Sequence, residues 1–224
     1  MKSADVEACV HAIGERLSLL EDAADGRGRA GADLRRALGR LRAEAAGLVR
    51  GATLGEPLAS AMRLASADGI DARDWRGILA RAEGLARPQL GTPASAVATA
   101  FEGLCLVELA RALEREELRS RDEAQALLQR LRALFSAAVE RAADARDQEA
   151  FRALRGLQAA TMRALEERGR PLARVVRRTF AIRLPSLVLA QRLYQNAGRH
   201  EELIGENRVR HPLFCPETVQ ALSK

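Results

Sequence analysis

The feature that most constrains this chain is a helical periodicity that runs, with short interruptions, from Ser3 to Arg168 and then stops. Val6, Cys9, Val10, Ile13, Leu17 and Leu20 recur at three- and four-residue steps and form one apolar stripe. Ser3 is the expected N-cap of that helix. Asp25-Gly26-Arg27-Gly28 breaks the pattern, and a second stripe of Leu34, Leu38, Leu41, Ala45 and Leu48 predicts a helix over about 32–49. A third helix is expected from Pro57 to Ala67, since proline suits a first turn. A fourth, capped by Asp71 and carrying Trp75, Ile78, Leu79 and Leu85, is expected to end near Ala86. The best break in the first half is the Pro-Gln-Leu-Gly-Thr-Pro segment at 88–93. Three longer helices follow, over about 94–115, from the cap Ser120 to about 143, and over about 147–168, the last ended by Gly169. No repeat of fixed period is present. These stripes predict a mainly α protein, an antiparallel helical bundle or array with Ala-rich, closely packed faces.

Beyond Gly169 the period changes from 3.6 to 2. Val175–Ile182 alternates and is β-branched, so it reads as a strand with Val176, Phe180 and Ile182 toward a core and Arg177 and Arg183 away from it. Pro185 opens a short helix over Ser186–Tyr194, a second spans about Arg199–Asn207, and Thr218–Leu222 reads as a final strand. The expected organisation is a helical domain over 1–170 and a small β-α-α-β module over 171–224.

The remaining chemistry narrows function by what it leaves out. No apolar run reaches the ~20 residues of a membrane helix, and Met1–Ser18 mixes charged with apolar residues, so no secretory signal is expected. Cys9, Cys105 and Cys215 are about a hundred residues apart, which suggests neither a disulfide framework nor a zinc site. His11, His200 and His211 lack metal-ligand spacing. There is no Gly-x-Ser-x-Gly, and Gly26-x-Gly28 lies between helices and reads as a turn. The carboxylate pairs Glu116-Glu117, Glu166-Glu167 and Glu201-Glu202 have arginines nearby, as surface ion pairs do. The expectation is a non-enzymatic chain with no metal and no cofactor. A net charge of +6 from 36 basic and 30 acidic residues, with a cluster at Arg168, Arg170, Arg174, Arg177, Arg178 and Arg183, keeps nucleic acid open as an alternative partner. Aromatics make up only 3%, so base-stacking platforms are scarce.

One segment carries a resemblance. Leu184, Pro185, Leu187, Leu189, Ala190, Leu193 and Tyr194 are followed by Arg199, Glu202 and Leu203, then by Asn207, Val209, His211, Pro212, Phe214 and Pro216. This string resembles the C-terminal end of the Mu-like phage DNA circularisation proteins, over about 145–224. The family usually has Gly-Asp where this chain has Gln195-Asn196, and Pro-Gly where it has Pro216-Glu217. It also carries an N-terminal, largely β, domain to which nothing here corresponds. The resemblance implies a structural baseplate component of a contractile tail, resident in the virion and made in the host cytoplasm. Its implied partners are hub, tube and wedge proteins, with copies arranged in a homo-oligomeric ring, six if it follows a sixfold tail. The strand-helix-helix-strand order is similar to a LysM-type module, which keeps peptidoglycan as a further alternative. Within that module Tyr194 and Phe214 are expected to supply packing area, Asn207 to close the second short helix, and Pro212 and Pro216 to hold a rigid turn.

Overall fold

The computed structural model describes residues 1–223. The protein is mainly α, with nine α-helices and one two-stranded sheet among the described residues. The helices are α1 (Ser3–Ala23), α2 (Gly28–Arg50), α3 (Gly55–Ala67), α4 (Ala72–Glu83), α5 (Pro93–Arg115), α6 (Arg121–Asp144) and α7 (Gln148–Gly169). Strand β1 (Val175–Thr179), α8 (Ser186–Tyr194), a one-turn 3-10 helix (Ala197–Arg199), α9 (His200–Asn207) and β2 (Thr218–Leu222) complete the chain. It divides into two compact units, one of Met1–Glu116 with Leu131–Thr161, the other of Glu117–Arg130 with Met162–Lys224. Helices α6 and α7 contribute residues to both, whereas the parts read from sequence met at residue 170.

In the first unit α1 packs on α2, α4 and α5, and α3 packs on α2 and α5. The apolar stripes face inward as their spacing requires: Leu17, Leu20, Leu34, Leu38, Met62, Trp75, Phe101, Leu106 and Phe135 are all buried. Each such side chain contributes about 1.5–3 kcal/mol relative to exposure. Ala12, Ala45, Ala61, Ala65 and Ala82 are buried among them, so the helices approach closely.

Helix ends follow local chemistry. Asp71 caps α4 by accepting from the amides of Arg73 (2.7 Å) and Asp74 (2.9 Å). Those two hydrogen bonds, that from Asp74 foremost, hold its carboxyl below the usual range. Ser120 accepts from the Glu123 amide at the start of α6, and Thr92 accepts from Ser95 at the start of α5. Ser3 is not a cap. Lys2 precedes the helix and donates its amide to Asp5, so the helix starts one residue early and the Ser3 hydroxyl turns to Glu7. Helix α2 starts at Gly28, four residues before the expected start at 32, because Gly26 and Gly28 adopt positive φ and turn the chain sharply. A Cβ on Gly31 would lie 2.2 Å from the Gly26 carbonyl carbon, so only glycine fits there.

This unit also buries charge. Arg16 falls on the core-facing stripe of α1 and is 2% exposed; its guanidinium donates to the Ala12 carbonyl at 3.0 Å. Burial lowers its pKa and nearby Glu102 opposes the shift. Arg141 approaches the same Glu102 carboxylate at 2.7 Å.

In the second unit the end of α7 and the start of α6 are in close contact: a Cβ on Gly169 would meet the Ala124 methyl at 2.8 Å. The Arg121 amide donates to the Ala173 carbonyl and the Asp122 carboxylate accepts the Val175 amide. Strands β1 and β2 pair antiparallel with Val175 opposite Leu222 and Thr179 opposite Thr218. Leu184, Leu189, Ala190, Tyr194, Leu203, Cys215, Val219 and Ala221 form the module's core, with Val176, Phe180, Leu193 and Val209 packed against it. Ile182, expected in that core, is instead 63% exposed. The strand ends at Thr179 and the chain bends at 181–182, so the alternation loses its facing.

Candidate protein-docking surface

The string Leu184–Pro216 does two different jobs in the module. Its first half builds the scaffold. Pro185 stands at the N-cap position of α8, in the extended conformation that proline favours. Leu184, Leu189 and Leu203 are buried, Leu193 is half-buried, and Tyr194 is 4% exposed. Gln195 adopts the left-handed conformation with φ +56° and ends α8.

Two polar side chains then fasten the helices to β2. Asn207 donates to the Leu203 carbonyl (2.8 Å) within α9 and to the Gln220 carbonyl (2.8 Å), while accepting from the Gln220 amide (2.7 Å). The Tyr194 hydroxyl accepts from the Leu222 amide at 3.3 Å. Arg199 stacks over the Tyr194 ring, 3.9 Å from its centroid, and grips Glu202 through two hydrogen bonds of 2.7 and 3.0 Å. Burial raises the Tyr194 pKa, and the Glu202 carboxylate raises that of Arg199. The module thus holds a stacked, fork-paired Arg199 where Lys would fit poorly.

The tip of the string, residues 211–214 with Pro216, faces solvent. Phe214, expected to supply packing area, is 65% exposed, and Leu213, His211, Pro212 and Pro216 are exposed beside it. The reason lies in the backbone. Pro212 O accepts from the Ser186 amide (2.7 Å), and the Cys215 amide donates to Leu184 O (3.2 Å), so Cys215 points inward and the loop tip outward. Phe214 N donates to His211 O, Leu213 N donates to His211 Nδ1, and the His211 and Phe214 rings lie 5.4 Å apart. The tip is therefore fixed rather than free to fold its apolar groups inward. The same bond to Ser186 brings it beside the first turn of α8, where Leu187 and Val188 are exposed. With Ile182, these make five of the seven most exposed large apolar side chains among the described residues. Such a concentration on one small module is the kind that a docking surface presents.

The Cys215 thiol is buried and its pKa is raised by that burial, the reverse of an activated nucleophile. No group of three or more metal-ligating side chains occurs among the described residues. An open groove of about 740 Å³ in the first unit is lined by Ala96, Ala100, Gly103, Leu104, Leu154 and Leu157. Among the described residues lining it the carboxylates are Glu56, paired with Arg63, and Asp147, engaged by the Ala150 amide. No helix of the described residues is long and apolar enough to cross a membrane. Compared with protein-family models and with curated proteins, the sequence finds no match.

Proposed function

We propose that this chain is a non-enzymatic structural component of a contractile phage or phage-derived tail. Its C-terminal module docks onto other baseplate proteins. The observation that carries the reading is the fixed apolar tip, Leu213 and Phe214 beside Leu187 and Val188, mounted on a scaffold made from the same residue string that resembles the Mu-like family. A small domain that spends its scarce large apolar residues on solvent gains nothing for its own folding; covering them on a partner recovers that burial.

The test is localisation of the chain in assembled particles. Tails purified from cells producing an epitope-tagged chain, labelled with gold and imaged by electron microscopy, should carry label at the baseplate. A Leu213→Asp, Phe214→Asp variant that keeps the wild-type circular dichroism should be missing from those particles. Label absent from tails, with the wild-type chain found on host DNA or on purified cell wall, would refute the reading in favour of its alternatives.

A further inference from the structure

The two edges of the small sheet are treated differently. Ser223 N donates to Arg174 O and Phe180 N donates to Glu217 O, so residues 174 and 180 face β2 across the ladder. Antiparallel pairs alternate, which makes 176 and 178 the other β2-facing positions of β1, and 218, 220 and 222 the outward positions of β2. On β2 two of those three positions are held: Asn207 takes both backbone groups of Gln220, and Tyr194 takes the Leu222 amide. On β1 the outward Val175 amide is taken by Asp122. Further along, Arg177 and Thr179 are exposed, and their outward amides and carbonyls take no hydrogen bond among the described residues.

That open edge is strongly charged. From Arg168 to His200 the chain has eight arginines and no acidic residue, and the Asp122 carboxylate at the Val175 end of the edge is taken up by that amide. Arg177 and Arg178 are exposed and have no ion-pair partner among the described residues. We propose that the outer edge of β1 is a strand-addition site for an acidic, extended segment of a partner protein. The added strand would exchange hydrogen bonds with Arg177 and Thr179 and set carboxylates against Arg177 and Arg178. Charge on an edge strand also guards against aggregation, and here the two effects coincide. A second copy of this edge would place like charges opposite one another and is repelled, whereas an acidic strand is attracted. Consecutive strand residues point to opposite faces, so Arg177 and Arg178 straddle the edge. That geometry suits the two faces of a third strand better than a phosphate backbone tracking one side. This surface is distinct from the apolar tip, and the proposal does not depend on it.

The probe is an end-capped Thr-Val-Glu-Glu-Val-Thr peptide titrated into the full chain and followed by amide NMR, with a Lys-Lys version as control. The acidic peptide should shift the Arg177 and Thr179 amides and protect them from exchange; the Lys-Lys version should not. Thr179→Pro removes an outward amide, a place where strands tolerate proline, together with the cross-strand hydroxyl bond to Thr218, which Thr179→Val removes alone and serves as the control. The proline variant should weaken binding about tenfold while Gln220 stays protected. An Arg177→Glu, Arg178→Glu variant should weaken it at least as much. Any of three results overturns the proposal: no shift at millimolar peptide, equal binding by Thr179→Pro, or short duplex DNA perturbing these amides where the peptide does not. If the peptide fails while Leu213 and Phe214 variants still drop out of tail particles, the strand site falls and the assembly reading stands.

Discussion

Replacing Asn207 by alanine tests how the module is held together. The substitution removes three hydrogen bonds of 2.7–2.8 Å and leaves the Gln220 amide and carbonyl without partners at a half-buried position. At about 1 kcal/mol net each, the three sum to about 3 kcal/mol. Water can reach part of the site, so the expected cost is about 2 kcal/mol. Read as local opening, that is about a thirtyfold faster hydrogen exchange at Gln220. Its β-sheet neighbours Val219 and Ala221 should follow, while α1 and α5 amides should not change. Asn207→Asp keeps the acceptor for the Gln220 amide but sets a carboxylate against the Leu203 and Gln220 carbonyls, so at neutral pH it should cost at least as much as alanine. Exchange at Gln220 within about threefold of wild type in Asn207→Ala would refute the view that this side chain acts as a surrogate strand.

Leu203→Ala should cost about 2–5 kcal/mol in urea unfolding of the module, since it opens a cavity in a small core; Phe214→Ser should stay within about 0.5 kcal/mol because the ring already meets water. Glu102→Ala takes a carboxylate from between Arg141 and the buried Arg16, and should cost about 3–5 kcal/mol, read by thermal or urea denaturation. Tyr194 is the only tyrosine, so tyrosinate absorbance reads it directly. Burial raises its pKa, so its midpoint should lie above the usual value of about 10. A raised pKa means the neutral form is favoured by folding; this stability is intact below the unfolded pKa and lost as pH rises through the folded one. Tyr194→Phe should flatten that alkaline loss.

What the sequence displayed well was periodic. Helical stripes and the caps Asp71 and Ser120 are local patterns, and β2 matches its alternation end to end. What it hid depends on contacts across the chain. Phe214 looks like core by type and is turned outward by two backbone bonds to residues 184 and 186, about 30 positions away in sequence. Ile182 keeps the parity of Val176, but a bend after the strand cancels it. Arg16 did leave a signal, a charge at core spacing between Ile13 and Leu20, readable only by asking which polar residue the stripe swallows. Asn207 reads as a helix stop, and its role as partner to Gln220 appears only when β2 returns.

The closed edge of β2 has a consequence for growth. A sheet with two open edges can be a link in an indefinite chain of molecules. With Asn207 and Tyr194 occupying one side, this sheet is left the other side to extend. Two side chains thus bias each copy toward accepting a strand on its β1 side, and any further growth rests on the outer edge of the strand added.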